Sequence, residues 1–196
     1  MADQAIKIKA IIFDCFGVLI TDPLDIILAE LELSDYEKEG IMRLVAVANR
    51  GKIPSVIYRK ALANKLGISF DEYINKIKAS EIKNGELLTY ISDIKKRYKV
   101  GMLSNVSSKE SLVSRFTKAE LSNNFDVVIA SGDIGYAKPQ AQAYEIAASE
   151  LGVLLNECVM IDDRYDYCQG ALGVGMHAIQ FQTFNQMKAE LQTLIS

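Results

Sequence analysis

The chain has 196 residues, 49% of them hydrophobic and 24% charged, with a net charge of -3. That is enough apolar material to close one domain with room for a small insertion. The near balance of charge excludes the basic footprint of a nucleic-acid or anionic-membrane binder, and Cys15, Cys158 and Cys168 lack the pairing of a disulfide framework or the spacing of a zinc site.

The opening segment MADQAIKIKA at 1–10 has no signal-peptide core, and no apolar run reaches membrane-spanning length. With three unpaired cysteines, these features predict a soluble, cytoplasmic protein with no membrane partner. They leave its oligomeric state open.

In chain order, KAIIFDCF (9–16) predicts the first strand, with Asp14 near its end. Residues 21–84 then show helical periods only. Ser34 and Glu37 form a capping box, Pro54 and Gly67 bracket PSVIYRKALANKLG, and SFDEYINKIKAS follows. More than 60 residues is too long for a simple crossover, whose norm is one helix with short loops. This stretch is predicted to be a helical cap inserted into a core made of residues 1–20 and 85–196.

The core resumes with the helical NGELLTYISDIKKRY, whose basic end suits a helix C-terminus. Strands are predicted at 99–105, 125–131, 158–163 and 176–181. Between them lie SSKESLVSRF, opened by a capping box from Ser107 to Glu110, and KPQAQAYEIAASELG, bracketed by Pro139 and Gly152. The strands lack apolar/polar alternation, which implies parallel strands covered on both faces. The predicted fold is α/β, a doubly wound parallel sheet.

In such sheets the ligand site lies beyond the carboxyl ends of the strands. The polar residues fall at those ends: Asp14 on the first, Ser104 and Asn105 on the second, Asp162 and Asp163 on the fourth, with Lys138 in the loop after the third. Carboxylates suit Mg²⁺, while a lysine, a hydroxyl and backbone N–H groups suit phosphate. Each residue alone reads as a turn, a cap or a surface charge. Their order and placement point to metal-dependent phosphoryl transfer.

FDCFGVL, MLSNVSS, GYAKPQAQAYE and MIDDRYDYCQGALGVGM together resemble the four ordered motifs of the haloacid dehalogenase-like (HAD) hydrolases, in the branch whose helical cap lies between motifs one and two. The resemblance implies a Rossmann-like core and a Mg²⁺-dependent phosphatase acting on a small phosphorylated molecule. It makes Asp14 the nucleophile that forms an aspartyl-phosphate. Ser104, Asn105 and Lys138 would bind the phosphoryl group. Asp14, Asp162, Asp163 and the backbone carbonyl of Phe16 would hold Mg²⁺.

Phe16 departs from that pattern, because phosphatases of the family usually carry there a second aspartate that acts as general acid and base. Phenylalanine can move no proton, a loss typically worth about 10²–10⁴-fold in rate. Two other readings follow. One is a metal-free haloacid dehalogenase, which carries an aromatic residue at this position but no paired acids in motif four. The other is a catalytically weak binding protein.

Other residues are set aside. Gly51-Lys52 would end a P-loop only if Ala46 were glycine. His177, the single histidine, reads as structural, as do Tyr36, Tyr58, Tyr73 and Tyr90. Arg50 and Lys52, in a cap turn, are candidate anion contacts or simply solvated charges.

Overall fold

The computed structural model of the chain describes residues 7–195. The start of the opening segment, residues 1–6, and Ser196 at the end of the predicted core lie outside the described residues.

Five parallel strands, β1 (Ala10–Phe13), β2 (Lys99–Ser104), β3 (Val127–Ala130), β4 (Cys158–Asp162) and β5 (His177–Gln180), form one sheet in the order β3-β2-β1-β4-β5. All four residues of β1 are buried, and they divide by alternation. Ile11 and Phe13 join one apolar cluster, Ala10 and Ile12 the other. Val159 and Ile161 of β4 follow the first pair, and Cys158 and Met160 the second. Successive side chains leave a strand on opposite faces, so continuous apolar runs require cover on both.

That cover is helical. The first face meets α5 (Gly85–Ile94) through Leu87 and Ile91 and α11 (Phe184–Ile195) through Met187 and Leu191. The second meets α9 (Ala141–Leu151) through Tyr144 and Ala147 and α10 (Tyr165–Gly173) through Ala171. The fold is the expected α/β, Rossmann-like sheet.

Between β1 and α5 the chain forms α1 (Pro23–Ala29), α2 (Asp35–Ala48), α3 (Ser55–Lys65) and α4 (Phe70–Ser80). These gather around a third apolar cluster of their own, built on Ile27, Ile41, Leu62 and Tyr73. The Ser34–Glu37 capping box is present, and Pro54 precedes α3 as expected.

Two local expectations are corrected. The helix after β2, α6 (Lys109–Val113), is capped by Ser108 and has no Ser107–Glu110 box: Ser108 Oγ accepts from Ser111 N–H at 3.3 Å, and Asp133 Oδ2 accepts from Lys109 N–H at 2.9 Å. The start therefore shifts by one residue, to where two side chains serve the free amides. Helix α5 ends at Ile94, so the basic cluster lies beyond its last turn. There Lys95 pairs with Asp126 at 3.3 Å and Lys96 with Asp93 at 2.8 Å. The remaining α-helices, α7 (Lys118–Asn124) and α8 (Ser131–Ile134), flank β3.

Candidate active site

The strand order reverses between β1 and β4, the position where open α/β sheets leave a crevice. Asp14 follows β1, and its N–H donates to Ile161 O of β4 at 2.9 Å. Asp162 ends β4 and Asp163 follows it. One carboxylate oxygen each from Asp14, Asp162 and Asp163 lie within 4.8 Å of one another. The three acids are therefore side by side.

Lys138, buried in the loop before α9, places its ammonium among them. Its Nζ donates to Asp162 Oδ2 at 2.5 Å and lies 2.8 Å from Asp14 Oδ1. The second contact is an ion pair, and among the described residues the ammonium is the one partner of Asp14 Oδ1. Asp163 Oδ1, by contrast, is a buried acceptor with no donor among them. Both Asp162 oxygens are engaged, the other accepting from Arg164 N–H at 3.0 Å.

Three carboxylates against one ammonium leave an excess of buried negative charge. Burial pushes Asp14 up to about 7, with Lys138 opposing the shift and Asp162 adding to it. Burial and then the charge of Asp162 push Asp163 up to about 6. Burial alone would lower Lys138, but Asp14 and Asp162 hold it above the ordinary lysine range. Clustered hard carboxylates with an orphaned oxygen on Asp163 fit a divalent cation such as Mg²⁺.

Backbone geometry sets the spacing. Gly17 has φ +86°, and a Cβ there would lie 2.5 Å from the Asp163 carboxylate carbon. Only glycine lets the chain leave β1 this close to the acid. Asn105 clasps the Lys138 backbone, accepting its N–H at 2.9 Å and donating to its carbonyl at 2.8 Å. Ser104, buried at the end of β2, completes the group.

The strand ends open into a cavity of about 170 Å³ shared with the α1–α4 cluster. Asp14, Phe16, Ser104 and Asn105 line its floor, and Tyr58 and Tyr73 are among the residues lining it from the helices.

A sequence profile described as haloacid dehalogenase-like hydrolase matches residues 8–175. The chain belongs to the haloacid dehalogenase-like hydrolase family. Phosphatase MT3486 of Mycobacterium tuberculosis is 42% identical over 80 residues, a match covering 41% of this chain and 37% of that protein. The alignment thus spans little more than a third of that relative. A HAD family enzyme from Bacteroides thetaiotaomicron, solved with magnesium and inorganic phosphate, has a TM-score of 0.72 at 18% identity, over 90% of this chain and 96% of that one. The L-2-haloacid dehalogenase of Xanthobacter autotrophicus, with chloropropionic acid covalently bound, gives 0.66 at 20%, over 95% and 83%. At such identities the two structures support the HAD fold alone.

The residues set aside by sequence fall mostly as read. His177 is half-buried in β5, away from the cavity, Tyr36 is exposed, and Tyr90 packs edge-on against Phe184 at 5.6 Å. Arg50 and Lys52 are exposed and do not line the cavity. Its cations are instead Arg59, Arg115 and Arg164, and Tyr58 and Tyr73 line it besides packing. Cys15 is buried, and burial and the neighbouring Asp14 charge hold its thiol well above the usual range, so it is no nucleophile. No helix among the described residues is long and apolar enough to cross a membrane.

Proposed function

We propose that this HAD hydrolase is a Mg²⁺-dependent phosphatase acting on a small phosphorylated metabolite, with Asp14 as nucleophile. The observation that carries this reading is the juxtaposition of Asp14, Asp162 and Asp163 around Lys138, with an acceptor oxygen of Asp163 left unpartnered. Four residues from two strand ends and a loop would not converge this way to serve packing, because clustered buried acids are costly without a counter-charge.

The three carboxylates and the Phe16 carbonyl would hold Mg²⁺, which supplies charge neutralisation to the transferring phosphoryl group. Asp14 attacks phosphorus, forming an aspartyl-phosphate while the ester P–O bond breaks. Lys138 and Ser104 bind the phosphoryl oxygens, and Asn105 holds the Lys138 loop in place. The leaving oxygen takes its proton from water, since Phe16 has none to give. Water then attacks phosphorus, releases inorganic phosphate and restores Asp14. In this scheme helices α1–α4 act as the cap that encloses the substrate.

Phe16 supports a second reading, a haloacid dehalogenase, in which the Asp14 carboxylate attacks carbon and expels halide. The acidic cluster weighs against it, because a metal-free site gains nothing from three adjacent acids. The test is phosphate release from an aryl phosphate and a panel of phosphorylated metabolites, with Mg²⁺, with EDTA and with Asp14→Asn. Release that needs both the metal and Asp14 is expected. Metal-independent chloride release from chloropropionate, with no phosphate release, would replace the proposal with the dehalogenase reading.

A further inference from the structure

The cavity carries a second polar feature that the phosphoryl site does not use. Arg59, on α3, donates from Nη2 to Ser111 Oγ at 3.0 Å, and Arg115, just past α6, donates from Nη1 to the same Oγ at 3.3 Å and to the Ser111 carbonyl. All three residues line the cavity. Two guanidinium groups from opposite walls thus meet at one hydroxyl, 52 residues of chain apart on the Arg59 side.

The two differ in their contacts with carboxylates. Arg115 is paired with Glu81, at 2.7 Å from Nε and 2.6 Å from Nη2. Arg59 has no carboxylate within ion-pair distance among the described residues. Asp22 and Asp25 also line the cavity, but the Asp22 carboxylate is turned to the amides of Leu24 and Asp25 at the start of α1, at 2.8 and 3.4 Å. Of the two partly buried guanidinium groups only Arg115 has a carboxylate in contact, so an anion bound beside Ser111 would give Arg59 the partner it lacks. The planar guanidinium fork matches carboxylate and phosphate oxygens.

The location limits the length of such a ligand. The Arg115 guanidinium lies over the Phe16 ring, 5.1 Å from its centroid. Phe16 is two residues from Asp14, a backbone reach of at most about 7 Å. A cavity of about 170 Å³ is also below the roughly 300–1,000 Å³ that drug-sized ligands occupy.

We propose that the cavity takes a short molecule with two acidic ends, one phosphoryl group at Asp14 and a second acid bound by Arg59 and Arg115 beside Ser111. The second acid is a carboxylate or a second phosphate. This rests on the phosphatase reading for the first end, so binding and turnover are tested separately.

Calorimetry in Mg²⁺ would compare inert phosphonates: propylphosphonate with one acid, phosphonopropionate with an added carboxylate, and ethanediphosphonate with an added phosphonate. The unmodified protein is expected to bind at least one two-acid ligand about tenfold or more tighter than propylphosphonate. Arg59→Gln and Arg115→Gln each bring that ratio to within about twofold, while Arg59→Lys, which keeps the charge without the fork, retains part of it. The tighter two-acid ligand identifies the second group. Equal binding of all three ligands, no binding of any, or a preference that survives both glutamine variants would overturn the proposal. Phosphate release from phosphoglycolate and from ethyl phosphate then separates the two ideas. Release from both at equal KM retains the phosphatase and rejects the second site. Ligand preference without any release retains the second site and rejects the phosphatase.

Discussion

Lys138 Nζ sits 2.5 Å from Asp162 Oδ2, with both side chains fully shielded from solvent, and that pair holds the charge of the site together. Removing the ammonium leaves three adjacent acids with no internal cation. Breaking a buried pair by deleting one partner costs about 3–5 kcal/mol. Lys138→Met is therefore expected to lose about that much stability in urea unfolding, to recover part of it on addition of Mg²⁺, and to release no phosphate. A stability loss below about 1 kcal/mol would contradict this charge balance.

Gly17→Ala addresses the same acids from the backbone. An L-residue in the left-handed region costs roughly 1–2 kcal/mol, and the new methyl would lie 2.5 Å from the Asp163 carboxylate carbon. The carboxylate has to move, which disturbs its orphaned Oδ1. The expected result is a modest loss of stability with a much larger loss of Mg²⁺ response, read as the Mg²⁺-induced shift in melting temperature. An unchanged Mg²⁺ shift would remove Asp163 from the metal set.

The sheet was legible in the sequence because burial on both faces leaves a strong pattern: Ile11 and Ile12 must each find a different helix layer, and both do. The acids were legible because a carboxylate at the end of an apolar strand has few structural uses, and Asp14, Asp162 and Asp163 do come together. Local choices between equivalent neighbours were not legible. Ser107 and Ser108 are both competent caps, and Asp133, which accepts from Lys109 N–H twenty-four residues away, favours the second. Arg59 and Arg115 carried no sequence mark at all. They meet only because α3 and α6 face each other across the cavity, whereas the more conspicuous Arg50 and Lys52 point into solvent.

Proton and metal should compete at the acidic cluster. Asp14 and Asp163 are raised from ordinary aspartate values to about 7 and about 6. A carboxyl raised on folding contributes stability that is present below its unfolded pKa and is lost as pH climbs through the folded value. In EDTA these two groups therefore weaken the fold as pH rises from about 4 to about 7. Mg²⁺ requires the ionised form, so its stabilisation has the opposite trend. The Mg²⁺-induced rise in melting temperature is expected to be larger at about pH 8 than at about pH 5. An equal rise at both would mean that the acids are already ionised without metal.

Phe16 should leave its mark on the choice of leaving group. With an aromatic ring in place of a proton donor, the leaving oxygen carries negative charge until water protonates it, so turnover of a series of aryl phosphates should fall steeply as the leaving phenol becomes less acidic. Phe16→Asp places a carboxyl two residues from Asp14, but it also removes the ring from beneath Arg115, at present 5.1 Å away. The guanidinium would then attract the new carboxylate and favour its ionised form, which serves as base better than as acid. The variant is expected to flatten the leaving-group dependence and to speed hydrolysis of poor leaving groups by about tenfold, short of the 10²–10⁴-fold of a well-tuned acid. Phe16→Asp combined with Arg115→Gln, which frees that carboxyl to hold its proton, should speed them further. If the single variant kept the steep dependence of the parent protein, proton delivery at residue 16 would not be what limits this enzyme.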